Sequence, residues 1–232
     1  LDVQCILTKK QGHATEIARK LCKEGGELRF YACGGDGTAN EVANGILGFD
    51  NAAMTMVPVG TGNDLLKNFG DDLEKFRDVE NLWDGPVFPM DVIEVNGRYA
   101  LTIACSGIDA RVAADVHKYS ESPLLDGKSS YIVSLLVNFF FKGIGSHWKV
   151  EMDGEEMEGD WSLVSVCNGR YYGGGFMPVA EARMDDGVLN TLVVQKVTRR
   201  AFIRFVRPYS KGEYYKFPHL AQCYTPKVVR IT

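Results

Sequence analysis

The sequence predicts an α/β plus β architecture. An N-terminal, doubly wound and mainly parallel α/β domain covers residues 1–88, and a mostly antiparallel β-sandwich domain with inserted helices covers residues 89–232. Three observations predict it. Short apolar runs alternate with helix-period segments as far as Trp83, the pattern left by right-handed crossovers between parallel strands. Beyond Pro86 the texture changes to strand-like runs joined by Asn96-Gly97 and Asp153-Gly154, dipeptides suited to tight hairpin turns. Two glycine-rich turns, Gly34-Gly35-Asp36-Gly37-Thr38 and Val59-Gly60-Thr61-Gly62-Asn63-Asp64, each follow an apolar run and lead into a helical one. In open parallel sheets, that end of the strand is where ligands bind.

Taken in order, Asp2–Leu7 reads as a strand and His13–Lys23 as a helix with Ile17, Ala18 and Leu21 inward. Leu28–Cys33 is an apolar strand. Thr38–Leu47 is a helix whose Val42, Ala43, Ile46 and Leu47 share one face, and Thr38 with Glu41 is spaced as a capping box. Ala53–Val59 reads as a strand, with helices near Asn63–Asn68 and Asp72–Trp83 and a linker near Trp83–Pro89. The second half opens with a hairpin of Val87–Val95 and Tyr99–Ala104. Helices Ser106–Tyr119 and Lys128–Lys142 follow, separated by a polar loop with Ser120, Ser122 and Pro123. A second hairpin joins Trp148–Met152 to Trp161–Cys167. Val188–Val197 is a strand, Arg199–Tyr209 a basic amphipathic helix and Lys227–Ile231 a final strand.

Composition excludes several functions. A net charge of −4 gives no broad basic field for nucleic acid. The six cysteines are scattered, without Cys-x-x-Cys or metal-ligand spacing, and the four histidines are as dispersed, so no zinc site is written. Cysteines used as small apolar residues fit a reducing cytoplasm. The most apolar stretch, Tyr131–Phe141, contains Ser134 and Asn138 and falls short of the roughly 20 apolar residues that span a bilayer. It reads as a core helix.

The chemistry concentrates in the two turns. Glycines around a carboxylate let a ligand lie against the backbone, and a helix behind the turn aims its unsatisfied N–H groups at an anion. Gly34, Gly35, Gly37 and Thr38, with Gly60, Thr61, Gly62 and Asn63, are thus candidates for binding phosphate. Asn63 or Asp64 can also cap the next helix. Asp36 and Asp64 would put two carboxylates into an anion-binding crevice, which predicts a Mg²⁺ between them and the phosphates. Asp91, interrupting an apolar strand where the halves meet, is a third candidate, with a satisfied polar residue at a strand start as the alternative.

Gly34-Gly35-Asp36-Gly37-Thr38 continuing through Asn40, Glu41, Val42, Ala43, Asn44 and Gly45, together with Pro58-Val59-Gly60-Thr61-Gly62-Asn63-Asp64, resembles the diacylglycerol kinase and sphingosine kinase family of lipid kinases. The wider fold group of that family includes NAD kinases and phosphofructokinases. Further motifs follow in order. Gly107-Ile108-Asp109-Ala110 is similar to the family's Gly-Phe-Asp-Ala, with Ile108 in the aromatic position. Asn168 through Gly173-Gly174-Gly175 is similar to its triglycine loop, and Pro178, Ala180, Asp186-Gly187 and Leu189 follow its Pro-x-Ala…Asp-Gly-x-Leu pattern.

The resemblance implies an ATP- and Mg²⁺-dependent kinase that phosphorylates a hydroxyl of diacylglycerol or a related lipid. Asp36, Asp64 and Asp91 are then expected in one metal-linked acidic cluster, with Thr8, Asn40 and Glu41 joining the glycine turns at the nucleotide. A structural Mg²⁺ is expected on the Asp186 side chain and the carbonyls of Arg183 and Val188, where an acidic turn is the alternative. The resemblance also implies that the sequence starts at the family's second strand and stops one strand short of an Asp-Gly-Glu loop bearing the general base. Asp153-Gly154-Glu155, placed before the triglycine loop, is expected to be a hairpin turn instead. The lipid substrate implies a cytoplasmic protein in transient peripheral contact with a membrane surface, compatible with a homodimer. Arg199, Arg200, Arg204 and Arg207, with Phe202 and Phe205, would form either a surface for anionic lipid or a solvated basic face packed on the core. A kinase of a soluble acceptor such as NAD, or a nucleotide- or lipid-binding protein without catalysis, are the competing readings.

Overall fold

The computed structural model describes residues 2–70, 73–120 and 143–232, with residues 116–120 described in backbone only. The expected helix Lys128–Lys142 and the polar loop before it lie outside the described residues, apart from the backbone of Ser120. Helix α1 (His13–Glu24) and α2 (Asp36–Ile46) pack on a parallel pair, β1 (Leu28–Gly34) and β2 (Ala52–Pro58), whose register runs from Leu28–Ala52 to Gly34–Pro58. Their apolar faces meet in a core of Ala14, Ala18, Ala32, Ala39, Val42 and Met56. The two helices approach so closely that a side chain at Gly45 would strike Ala18 Cβ at 2.6 Å. Asp2–Leu7 is a correction: residues 2–9 have no ladder partner among the described residues, and Val3 and Leu7 stay exposed. An apolar alternation makes a strand only where a neighbour completes its hydrogen bonds.

The expected helices after β2 shrink to 3₁₀ turns at Leu66–Phe69 and Leu73–Phe76 and a single-turn α3 (Val79–Leu82). A hairpin of β3 (Ile93–Val95) and β4 (Arg98–Ala100) follows, with Asn96 and Gly97 both at positive φ, as a type I′ turn requires.

The rest of the second half is a six-stranded antiparallel sheet. Its strands are β5 (Ile103–Gly107), β6 (Ser146–Met152), β7 (Glu155–Cys167), β8 (Asn190–Gln195), β9 (Ala221–Tyr224) and β10 (Val229–Ile231). The spine is β7, 13 residues long. Its first part pairs with β6, its last part pairs with β5 on that same edge, and β8 lies along the other edge. A bulge between Trp161 and Leu163 turns Leu163 to one face while Trp161 and Val164 occupy the other. The first face is covered by α4 (Ile108–Ser120) and α5 (Arg199–Tyr209) through Ile108, Val112, Phe205 and Tyr209. Asp153-Gly154 turns between β6 and β7 as expected, and Asp153 is held by the backbone N–H groups of Lys227 and Val228. On α5, Thr198 caps the helix, and Phe202 and Phe205 are buried, which removes them from any surface contact. Arg199, Arg200, Ile203, Arg204 and Arg207 remain exposed.

Candidate active site

The two glycine turns lie back to back. Gly34 O accepts from both Val59 N–H and Gly60 N–H at 3.2 Å, and a side chain on Gly60 would collide with Gly35 Cα. Glycine is therefore required by the contact between the loops themselves. Helix α2 starts at Asp36 with Gly35 as its N-cap and no side-chain cap, so the expected capping box is not formed. With the helix beginning two residues before Thr38, its first-turn N–H groups are left for another acceptor.

Glu41 does something else. Its carboxylate takes Gly12 N–H at 2.8 Å and Ala14 N–H at 3.2 Å, and its carbonyl takes the Thr15 hydroxyl at 2.7 Å. It caps the neighbouring helix α1, where Gly12 sits at φ 82°. Asn44 likewise reaches across, exchanging two hydrogen bonds with the backbone of Tyr99 at 2.8 and 2.9 Å. Much of the motif after the first turn thus joins helices and hairpin. Asn40 is half-buried on α2, its carbonyl accepting from Asn44, and Thr8 is exposed in the 2–9 segment.

Asp36 and Asp64 come together. A side chain on Gly62 would lie 3.0 Å from Asp36 Oδ2 and 3.6 Å from Asp64 Oδ2. Asp36 Oδ1 accepts from Leu65 N–H at 2.9 Å. Asp64 is 5 % exposed, and both its oxygens are engaged. Lys67 Nζ meets Oδ1 at 2.5 Å, and Gly174 N–H donates to Oδ2 at 2.7 Å. Asn63, at φ 52°, folds its amide onto Gly60 O at 2.8 Å. In the turns and the loop that meet at this buried carboxylate, Gly37, Thr61, Gly174 and Gly175 are exposed.

Lys67 corrects the electrostatic reasoning. Two adjacent carboxylates need a compensating cation, and this lysine supplies one from the protein itself. The single three-carboxylate cluster is a further correction. Asp91 Oδ2 accepts from Gly187 N–H at 2.7 Å, and no group of three His, Cys, Asp or Glu side chains among the described residues is placed to hold a metal. Asp91 is tied into the second half: its N–H donates to Met184 O, and buried Asn168 donates to Asp91 O and Leu101 O, both at 2.7 Å. Asp186 Oδ1 accepts from Val188 N–H at 3.0 Å, while the Arg183 guanidinium pairs with Asp185 and pulls that carboxyl below its ordinary range. The donor sets still suit a hard cation, because carboxylate and carbonyl oxygens are what Mg²⁺ takes when it keeps several waters.

Sequence reading missed two contributors. Lys67 falls one helical turn after Asp64, a spacing that could have flagged it. The contact from Gly174 is long-range and leaves no local signal.

Comparison with known proteins matches both halves of the chain. The diacylglycerol kinase catalytic domain matches residues 1–95, and the YegS C-terminal NAD kinase beta sandwich-like domain matches residues 102–232. The chain is 28 % identical over 220 residues to the diacylglycerol kinase of Bacillus subtilis strain 168, covering 90 % of this chain and 68 % of that protein. It is 30 % identical over 181 residues to a YegS-like lipid kinase of Pseudomonas aeruginosa, covering 76 % of this chain and 59 % of the relative. A crystal structure of a diacylglycerol kinase from Bacillus anthracis superposes with a TM-score of 0.69 at 26 % identity, covering 97 % of this chain and 72 % of that one. With both halves matched in order, the chain belongs to the diacylglycerol kinase and YegS-like family of lipid kinases.

Proposed function

We propose that this chain carries the phosphate-binding crevice of an ATP-dependent kinase acting on a hydroxyl of diacylglycerol or a related lipid. One observation carries the reading: two glycine turns and the triglycine loop converge on Asp36 and Asp64. Phosphoryl transfer asks a protein mainly for positioning and charge neutralisation, and this arrangement offers both. The uncapped start of α2 and the backbone of Gly35, Gly37, Gly60 and Gly62 would cradle the phosphates, with Thr38 and Thr61 hydroxyls beside them. Asp36 and Asp64 would hold Mg²⁺ arriving with the nucleotide, and Asp186 with the carbonyls of Arg183 and Val188 would hold a second, structural one. Mg²⁺ would neutralise charge on the phosphate oxygens. Lys67, already on Asp64, is placed to share that task. Asp91 would serve by holding the start of the second half in place, its carboxylate on Gly187 N–H and its N–H on Met184 O, next to the Asp186 turn.

The lipid would be reached at a membrane surface. Helix α5 supports this with exposed Arg199, Arg200, Arg204 and Arg207 around Ile203, which is 61 % exposed. The deciding experiment is transfer of labelled γ-phosphate from ATP to a panel of lipids in mixed micelles, using the full-length gene product with Mg²⁺. Label in one lipid is the expected result. Label in none, with transfer to a soluble hydroxyl acceptor, would overturn the lipid assignment.

A further inference from the structure

Asp109 lies outside the crevice, buried at the first turn of α4. Its Oδ2 accepts from Tyr172 Oη and Tyr209 Oη, each at 2.7 Å, with Ser165 Oγ at 3.5 Å. The two tyrosine oxygens are 2.8 Å apart. A buried carboxyl is costly unless such partners surround it. Burial raises its pKa, and the three hydroxyls pull it back down.

The two tyrosines differ in what they carry. Tyr209 sits within α5, whose own helix holds it. Tyr172 is the base of the triglycine loop. Its N–H bonds to Phe176 O at 3.0 Å, and its carbonyl receives Phe176 N–H at 2.9 Å and Gly175 N–H at 3.2 Å. Between these bonds Gly173, Gly174 and Gly175 run at φ 60°, 86° and 122°, and Gly174 reaches Asp64. A run of glycines at positive φ has little stiffness of its own. Its aim is set by its base.

We propose that Asp109 and Tyr172 are positioning residues: their hydrogen bond anchors the triglycine loop so that the Gly174 N–H stays on Asp64. The proposal rests on the kinase reading of the crevice and extends it to a pair of side chains that touch neither turn. The path Asp109–Tyr172–Gly174–Asp64 is continuous through contacts of 2.7 Å at its two ends. Tyr209 is the internal control. It gives the same carboxylate oxygen a hydroxyl at the same distance, but its own backbone belongs to α5 and not to the base of the loop.

The test compares Tyr172→Phe and Tyr209→Phe in the full-length protein. Each removes one hydroxyl and keeps the ring, and Asp109 retains two donors in either case. Hydrogen exchange at Gly174, thermal unfolding and kinetics of phosphate transfer are measured together. Tyr172→Phe is expected to speed exchange at Gly174 by about tenfold and to lower kcat by about tenfold with KM for ATP within about twofold. Tyr209→Phe is expected to leave exchange and kcat within about twofold while unfolding at a comparably reduced temperature. Equal losses in the two variants, or unchanged Gly174 exchange in Tyr172→Phe, would overturn the anchor. Selective release of Gly174 in Tyr172→Phe, in a protein whose wild type transfers no phosphate, would support the anchor and overturn the kinase reading.

Discussion

The backbone N–H of Gly174 donates to Asp64 Oδ2 at 2.7 Å, joining positions 110 residues apart. Neither residue can make this bond within its own half of the chain. The candidate site is therefore a product of docking the antiparallel sheet on the α/β layer. Arg170 N–H to Asn68 Oδ1, at 2.7 Å, holds the same seam one step away.

Asp36 separates chemistry from folding. In Asp36→Asn an amide oxygen can still accept from Leu65 N–H, so the unfolding temperature should move by less than about 3 °C. Phosphate transfer should fall by at least about 100-fold, because the charge facing Gly62 is gone. Retained transfer in a folded variant would remove Asp36 from the mechanism.

Glu41 behaves in the opposite way. As the cap of α1 it holds two N–H groups, and Glu41→Ala should cost about 1–2 kcal/mol in a denaturant titration. The KM for ATP should stay within about twofold of wild type in the folded fraction. A raised KM without loss of stability would return Glu41 to the nucleotide.

The exposed stripe on α5 predicts a salt-dependent affinity for lipid. Replacing Arg200, Arg204 and Arg207 with glutamine should reduce sedimentation with phosphatidylserine-containing vesicles by about tenfold or more. Uncharged vesicles should not distinguish the proteins. Equal sedimentation of variant and wild type would free the helix of this role.

Asp109 predicts a pH signature in stability. Its native pKa is raised above the ordinary 3.8 by burial, so between those two values the native state holds more protons than the unfolded chain. Unfolding free energy from this group falls as pH rises through that window and is level above it. The stability of wild type relative to Asp109→Asn should therefore decline as pH rises from about 4. A relative stability that increases with pH would mean that the hydroxyls outweigh burial.

Local features were legible in the sequence. Strand, glycine turn and helix stand where the apolar runs and glycines put them, and Asn96-Gly97 and Asp153-Gly154 make their turns because few other residues tolerate positive φ. Arg199–Tyr209 is helical over the expected range, since a capping threonine and an apolar stripe agree. What failed depended on distant partners. Asp2–Leu7 has strand composition without a ladder. Thr38 and Glu41 have capping-box spacing, yet Glu41 finds better-placed donors on α1. Strand β9 went unrecognised because Ala221–Tyr224 is short and only its pairing with β8 defines it. At the site, Asp36 and Asp64 were readable as neighbours from their turns. Lys67 was readable too, from its one-turn spacing to Asp64; Gly174 and Tyr172 were not, because folding alone brings them there.

The double pairing of β7 also sets an order of assembly. Its first part meets β6 across a two-residue turn, a closure that costs little chain entropy. Its last part waits for β5, whose Cys105 lies opposite Ser165 at a separation of 60 residues. Mutations in the β6–β7 hairpin should accordingly slow refolding, whereas mutations in β5 should mainly hasten unfolding. Strand β5, which leads into Asp109 and pairs with the end of β7 ahead of the triglycine loop, would then be the late-closing part of the molecule, and the crevice would gain its shape only at the end of folding.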